Sequence, residues 1–396
     1  MALQIGLPQI DDLDLNRAVK DRHFLETVRH GMTGKAVGLL TGLKLVERLH
    51  GIQEARYYLL GAHPGVGKTQ LTDFIFVFSA WLTARTEGRE IKIFYYSLEL
   101  PSTVKKAKWC SSYLLWKYGI MWTSDFILGR IKKHLPSEED YKLIQEAFSF
   151  VELLMEDMML VDHYVTPSSI YKTLSQTYYP KYGAVTREQL TPEQQADGRV
   201  PLAVQYQKTK SVPLTLLIID HLALLEGEKT KDTMDEMSKL GVNLRNIFGT
   251  TLIFVQQFNQ DLIKSRRESI TRLGPSKAVS VMSPKQLDFG DSTYTFRDAD
   301  HVIGLAKPAD FEVEDFQGVP CAPPSFGGLG GCLLVSYLIK NRYGPINRFY
   351  PLFMNGISGM FYDLPDVTSV AGLGSILGND WGPWVLEASK IEKNNG

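Results

Sequence analysis

The stretch GAHPGVGKTQ, Gly61–Gln70, lies between an aromatic and aliphatic run, YYLLGA, and a long apolar stretch, QLTDFIFVFSAWL. Ala62-His63-Pro64-Gly65-Val66-Gly67-Lys68-Thr69 has the spacing of a phosphate-binding loop. Ala62 stands in place of the usual first glycine, and Gly61 comes one residue too early to fill that position. Small residues at these positions let backbone N–H groups face phosphate oxygens, with a helix N-terminus behind them. On this reading Ala62, His63, Pro64, Gly65, Val66, Gly67, Lys68, Thr69 and Gln70 hold a nucleotide. Lys68 reaches the β- and γ-phosphates, and the Thr69 hydroxyl ligates Mg2+. The alternative is a purely structural glycine turn. The strand-like run before it and the helix-like run after it favour the phosphate loop.

Outward from this loop, short apolar runs alternate with helical patterns. Strands are expected at Arg56–Gly61, Lys92–Ser97, Met159–His163, Thr215–Asp220, Thr251–Gln256, His301–Leu305, Leu333–Lys340 and Phe349–Phe353. Their continuous apolar character suits a buried, mainly parallel, twisted sheet covered by helices on both faces, an α/β architecture. Leu216-Leu217-Ile218-Ile219-Asp220 would deliver one carboxylate to the carboxyl edge of that sheet, where ligands bind. There Asp220 would hold Mg2+ through water. Glu99, in Ser97-Leu98-Glu99-Leu100, is expected beside the end of the phosphate-loop strand. It either activates a water or serves as the N-terminal acid of the following helix. Gln257 ends the run TLIFVQQ and is a candidate for contact with the γ-phosphate.

The chain has 396 residues, enough for one large domain or two ordinary ones. Hydrophobic residues make up 44% and charged residues 22%, the balance of a globular chain in water. The formal net charge of -1 excludes a polycation, so nucleic-acid binding would need a local basic patch. Cys110, Cys321 and Cys332 are too few and scattered for a disulfide framework or a metal knuckle, and fit a reducing compartment. The amino terminus turns acidic too early for a signal peptide, and no run reaches the ~18 apolar residues of a membrane span. Asp12–His30 reads as a helix with Gly31 as its stop. Residues 183–213 and 308–331 read as inserted irregular loops. Three parts are therefore expected: an arm and linker helix over 1–34, an ATPase-like domain over 35–365, and a tail over 366–396.

In order and spacing these pieces resemble the RecA-like ATPase domain of DnaB-family replicative helicases, over about Gly38 to Asp363. The resemblance rests on Gly38-Leu39-Leu40-Thr41-Gly42, the phosphate loop, SLELP, LLIID, FVQQFN, Asp298-Ala299-Asp300 and Lys340-Asn341-Arg342-Tyr343-Gly344-Pro345. It implies ATP as cofactor with Mg2+, Glu99 as catalytic base and Gln257 as γ-phosphate sensor. It also implies Arg342, with Lys340 beside it, as an arginine finger acting on the next subunit's nucleotide. A homo-oligomer follows, expected as a hexameric ring moving on single-stranded DNA, with a primase or a helicase loader as further partners and the cytoplasm of a bacterial cell (the host's, for a phage-encoded chain) as location. Only about fifty residues precede the phosphate-loop strand, so the family's N-terminal collar is expected to be missing. Gly290-Asp291-Ser292 and Gln260 depart from the family pattern.

The segment after FVQQFN carries Lys264, Arg266, Arg267, Arg272 and Lys277 against Asp261 and Glu268. In the family, loops at this position grip single-stranded DNA, and such cations would track phosphates without reading sequence. The alternative is a solvated charged loop. Two other functions share every nucleotide residue: a RecA-like DNA-dependent ATPase (recombinase or loader) without unwinding, and a nucleotide-dependent scaffold.

Overall fold

The computed structural model describes residues 28, 29, 31, 32 and 37–364, except 260–264, 267, 270–277, 291, 292, 314, 317, 318, 322–329 and 347. The chain divides between Gly38 and Leu39 into two units. In the first, Val28, Arg29, Gly31 and Met32 are helical. Gly31, expected as a helix stop, is itself helical. The earlier residues of the expected helix and the tail from 366 lie outside the described residues.

The second unit is built on β1 (Tyr57–Ala62), β2 (Ile91–Ser97), β3 (Met158–Val161), β4 (Gly183–Arg187), β5 (Ala203–Lys208), β6 (Leu214–Asp220), β7 (Thr251–Gln257), β8 (His301–Ala306), β9 (Asp315–Phe316), β10 (Val319–Pro320), β11 (Leu333–Asn341), β12 (Arg348–Asn355) and β13 (Met360–Asp363). A 9-stranded sheet has the order β13-β12-β11-β8-β1-β7-β6-β2-β3. From β3 to β8 the neighbours pair in parallel, and β11, β12 and β13 add an antiparallel wing. This is a RecA-like α/β core.

The parallel strands are buried on both faces, which is why they read as unbroken apolar runs rather than alternating ones. Leu60, Ile93, Ile218 and Ile253 face one way, into a core shared with the helices Ser102–Tyr118 and Glu138–Glu156. Their chain neighbours Leu59, Phe94, Leu217 and Phe254 face the other way, against the helix Thr230–Phe248. Each such fully buried aliphatic side chain contributes roughly 1.5–3 kcal/mol. Gly119 and Gly249 end two of these helices in the left-handed conformation that glycine adopts without steric cost.

Two segments differ from the irregular loops expected of them. Within 183–213, β4 and β5 form an antiparallel hairpin with the helix Pro192–Ala196 between them. The hairpin is anchored where Asn243 Nδ2 donates to the Ala203 carbonyl (2.9 Å) and the Ala203 N–H donates to the Tyr171 hydroxyl (2.8 Å). Within 308–331, β9 and β10 pair, and Phe316 packs with Phe311 and Val335 in a small separate core. Strand β13 was not expected at all.

Candidate nucleotide site and the opposite sheet edge

Strand register brings the expected residues to one edge. Ala62 at the end of β1 is level with Gln257 on β7, and Ser97 on β2 is level with Asp220 on β6. The phosphate loop leaves β1 and enters the helix Lys68–Thr72. Gly65 and Gly67 have φ of 75° and 108°, a region closed to most side chains. A Cβ on Gly67 would also lie 2.8 Å from Met354 Sδ. Lys68 is buried and donates to the His63 carbonyl at 3.1 Å, across the loop. Burial pulls its pKa below the ordinary lysine range, and the charges of Glu99 and Asp220 oppose that shift. His63 is buried edge-on to Phe258, and burial, reinforced by Arg266, holds its imidazole neutral with a pKa of about 4.

Asp220 is 1% exposed. Its Oδ2 faces the Tyr95 hydroxyl at 3.3 Å, whereas its Oδ1 is buried and accepts no hydrogen bond. A buried carboxylate oxygen with no hydrogen bond suits a hard cation. Among the described residues no group of three His, Cys, Asp or Glu side chains closes a cage, so an ion here would keep waters or phosphate oxygens as ligands. Sequence reasoning missed three side chains at this place: Asp73, Tyr95 and Lys105. The Tyr95 hydroxyl donates to Asp73 Oδ1 (2.7 Å), and the fully buried Lys105 lies 3.1 Å from Asp73 and 3.7 Å from Asp220. Burial raises the pKa of Asp73, and Lys105 opposes the rise. Lys108 lines the same cleft with Thr69, Gln70 and Asp73.

Glu99 is exposed just past β2. It is not beside the phosphate-loop strand, because β6 and β7 intervene. That puts its strand about 14 Å from β1 at ordinary strand spacing. Nor does it cap the next helix. That helix begins at Ser102, whose N–H donates to Asp162 Oδ2 at 2.7 Å. Glu99 is thus a free carboxylate at the carboxyl edge, with no structural duty that the hydrogen bonds reveal. Gln257 lies 3.3 Å from His221, Nε2 to Nε2. Burial lowers the His221 pKa, and a neutral imidazole can accept from the amide.

The chain beyond Gln257 is stitched to the phosphate loop. The Phe258 N–H donates to the Ala62 carbonyl (2.9 Å), and the rings of Phe258 and Phe289 press on Gly61 so closely that a Cβ there would fall 2.3 Å from Phe258. Of the expected nucleic-acid cations, Lys264, Arg267, Arg272 and Lys277 lie outside the described residues. Arg266 is described and is engaged internally. Its guanidinium meets Asp288 Oδ1 at 2.6 Å, with only 12% of the side chain exposed.

Arg342 lies at the other edge of the sheet. Its neighbour Asn341 pairs with His301, which is level with Tyr58 near the start of β1. The length of β1, about 17 Å at 3.3 Å per residue, separates Arg342 from its own phosphate loop. Asp300 organises this edge. It lies 2.9 Å from the guanidinia of both Arg245 and Arg342, and accepts from the Tyr57 N–H. The Arg342 contact is within ion-pair distance but off the line of a hydrogen bond, and the side chain stays 43% exposed. Lys340 donates to the carbonyls of Phe296 and Arg297, at the end of a short helix of its own chain. Arg56 stacks on Tyr343 at 3.9 Å.

No family model and no curated protein matches the chain. Among solved structures, an ATPase domain shares 15% identity, with a TM-score of 0.58 over 87% of this chain and 98% of its own. A DnaB-like replicative helicase, solved for its interactions with primase, shares 15% identity, with a TM-score of 0.59 over 89% of this chain and 70% of its own. The likeness is one of fold, to the ATPase domain of DnaB-like helicases, across most of the chain.

Proposed function

We propose, from a fold shared with the ATPase domain of DnaB-like replicative helicases, that this chain is an ATP hydrolase that drives movement along single-stranded DNA within a homo-oligomeric ring, expected as a hexamer. One observation carries the reading. The candidate residues Lys68, Thr69, Asp220, Glu99 and Gln257 gather at one sheet edge, and the half-exposed Arg342 lies at the other. A chain so arranged supplies half of a site at each edge, and a neighbour supplies the rest.

In this reading Ala62–Gln70 bind the phosphates, and Thr69 and Asp220 hold Mg2+, which neutralises phosphate charge when bound. Glu99 takes a proton from the attacking water. Gln257 senses the γ-phosphate and passes its presence through Phe258 to the basic segment with Lys264, Arg267, Arg272 and Lys277. Arg342, with Lys340 fixing the strand that carries it, stabilises charge on the neighbour's transferring phosphoryl group. A primase or a loader is the expected protein partner.

The test is ATP hydrolysis with and without single-stranded DNA, with Lys68→Ala as blank, followed by strand displacement on a forked duplex. DNA-stimulated hydrolysis with displacement is expected. Hydrolysis indifferent to nucleic acid overturns the translocase reading. Stimulation without displacement points to a DNA-dependent ATPase that does not unwind.

A further inference from the structure

Asp73, Tyr95, Lys105 and Asp220 come from four separate places in the chain and close into one buried polar cluster. The Lys105 ammonium donates to the Tyr95 oxygen at 2.6 Å, and the Tyr95 hydroxyl donates to Asp73 Oδ1 at 2.7 Å. Asp220 Oδ2 lies 3.3 Å from that hydroxyl and 3.7 Å from the ammonium. Lys105 is 0% exposed. Burying an ammonium costs several kcal/mol of hydration, and a methionine of similar length would fill the space without that cost. The core does not require a cation here, but two converging carboxylates do. Asp73 lies one turn beyond Thr69 and lines the same cleft, and Asp220 meets it through the shared Tyr95 hydroxyl. The cluster occupies one oxygen of Asp220 and leaves Oδ1 bare.

We propose that Lys105, directly and through Tyr95, is a positioning residue that holds Asp73 and Asp220 as a pair beside the phosphate loop's helix, with Asp73 joining Asp220 in binding the water shell of Mg2+. The proposal rests on the nucleotide-site reading above. Removing the hydroxyl takes one hydrogen bond from each carboxylate and leaves only their looser ion pairs with Lys105, whereas removing the Asp73 charge leaves Asp220 alone.

The test uses the full chain and a fluorescent ATP analogue. Binding is measured in EDTA and then during titration with Mg2+, for wild type, Asp73→Asn, Tyr95→Phe and Lys105→Met, with circular dichroism to verify folding. The Mg2+ concentration at half-effect should rise about tenfold in Asp73→Asn and Tyr95→Phe, the usual scale for losing a group that orients a metal's ligands. Affinity in EDTA should stay within about twofold, because the phosphate loop is untouched, a split that a general loss of structure would not produce. Should Lys105→Met fail to fold, the two near-isosteric variants decide the matter alone. A wild-type Mg2+ midpoint in either of them overturns the proposal. A wild-type chain that binds no analogue in Mg2+ overturns the nucleotide reading itself, which is a different result.

Discussion

Gly67 holds a backbone conformation, φ 108°, that a substituted residue would reach only under strain, and its missing Cβ makes room for Met354. Gly67→Ala is expected to lose about 1–3 kcal/mol of stability and most nucleotide affinity, read by thermal unfolding and analogue binding. His301 tests a different property. It is stacked on Tyr58, buried, and pushed by that burial from 6.5 down to about 4. The unfolded chain therefore takes up a proton below pH 6.5 that the folded chain refuses until about pH 4. Stability is full above pH 6.5 and falls across that window. At pH 5 the loss from this residue is about 2 kcal/mol. His301→Phe keeps the stack and should flatten the fall in denaturant midpoint between pH 7 and pH 5 by that amount. An unchanged slope refutes the assignment. At this scale the glycine loop between β1 and the helix Lys68–Thr72 was legible because its signal is local: eight neighbouring residues read by their spacing. Lys105 was not. It sits in the run Lys105-Lys106-Ala107-Lys108, which reads as a solvated helix face, and its partners are at positions 73, 95 and 220.

Among the elements, the parallel strands were readable to within a residue or two, because burial on both faces writes an unbroken apolar run. The hairpin β4–β5 was not readable. The residues of β4 alternate between half-buried and exposed, those of β5 are mostly exposed, and their reason for ordering is the distant helix Thr230–Phe248. Tyr171 is the pin: its hydroxyl donates to Asn243 Oδ1 at 2.7 Å while accepting from the Ala203 N–H. Tyr171→Phe leaves both groups short of a partner and should cost about 1–3 kcal/mol in chemical unfolding, with ATP hydrolysis unchanged. A loss of hydrolysis would make the hairpin part of the working site. Glu99 shows the same limit of sequence reading. Its place at a strand end was legible, but the strand order that puts β6 and β7 between it and the phosphate loop was not.

For the whole molecule, the decisive feature is that Lys68 and Arg342 stand at opposite edges of one sheet. Lys68→Ala and Arg342→Ala should each be nearly inactive alone. Mixed together, some sites pair an intact phosphate loop from one variant with an intact arginine from the other, and hydrolysis should return to a sizeable fraction of wild type. Mixtures as inactive as their components would mean that Arg342 serves its own chain or none. If each edge holds half of a site, as proposed, the protein would also respond to scarcity in a particular way. On the proposed reading a single copy in dilute solution would have no completed site, so its turnover per molecule would fade as copies drift apart and return as they crowd together. Abundance itself would then act as the on-switch.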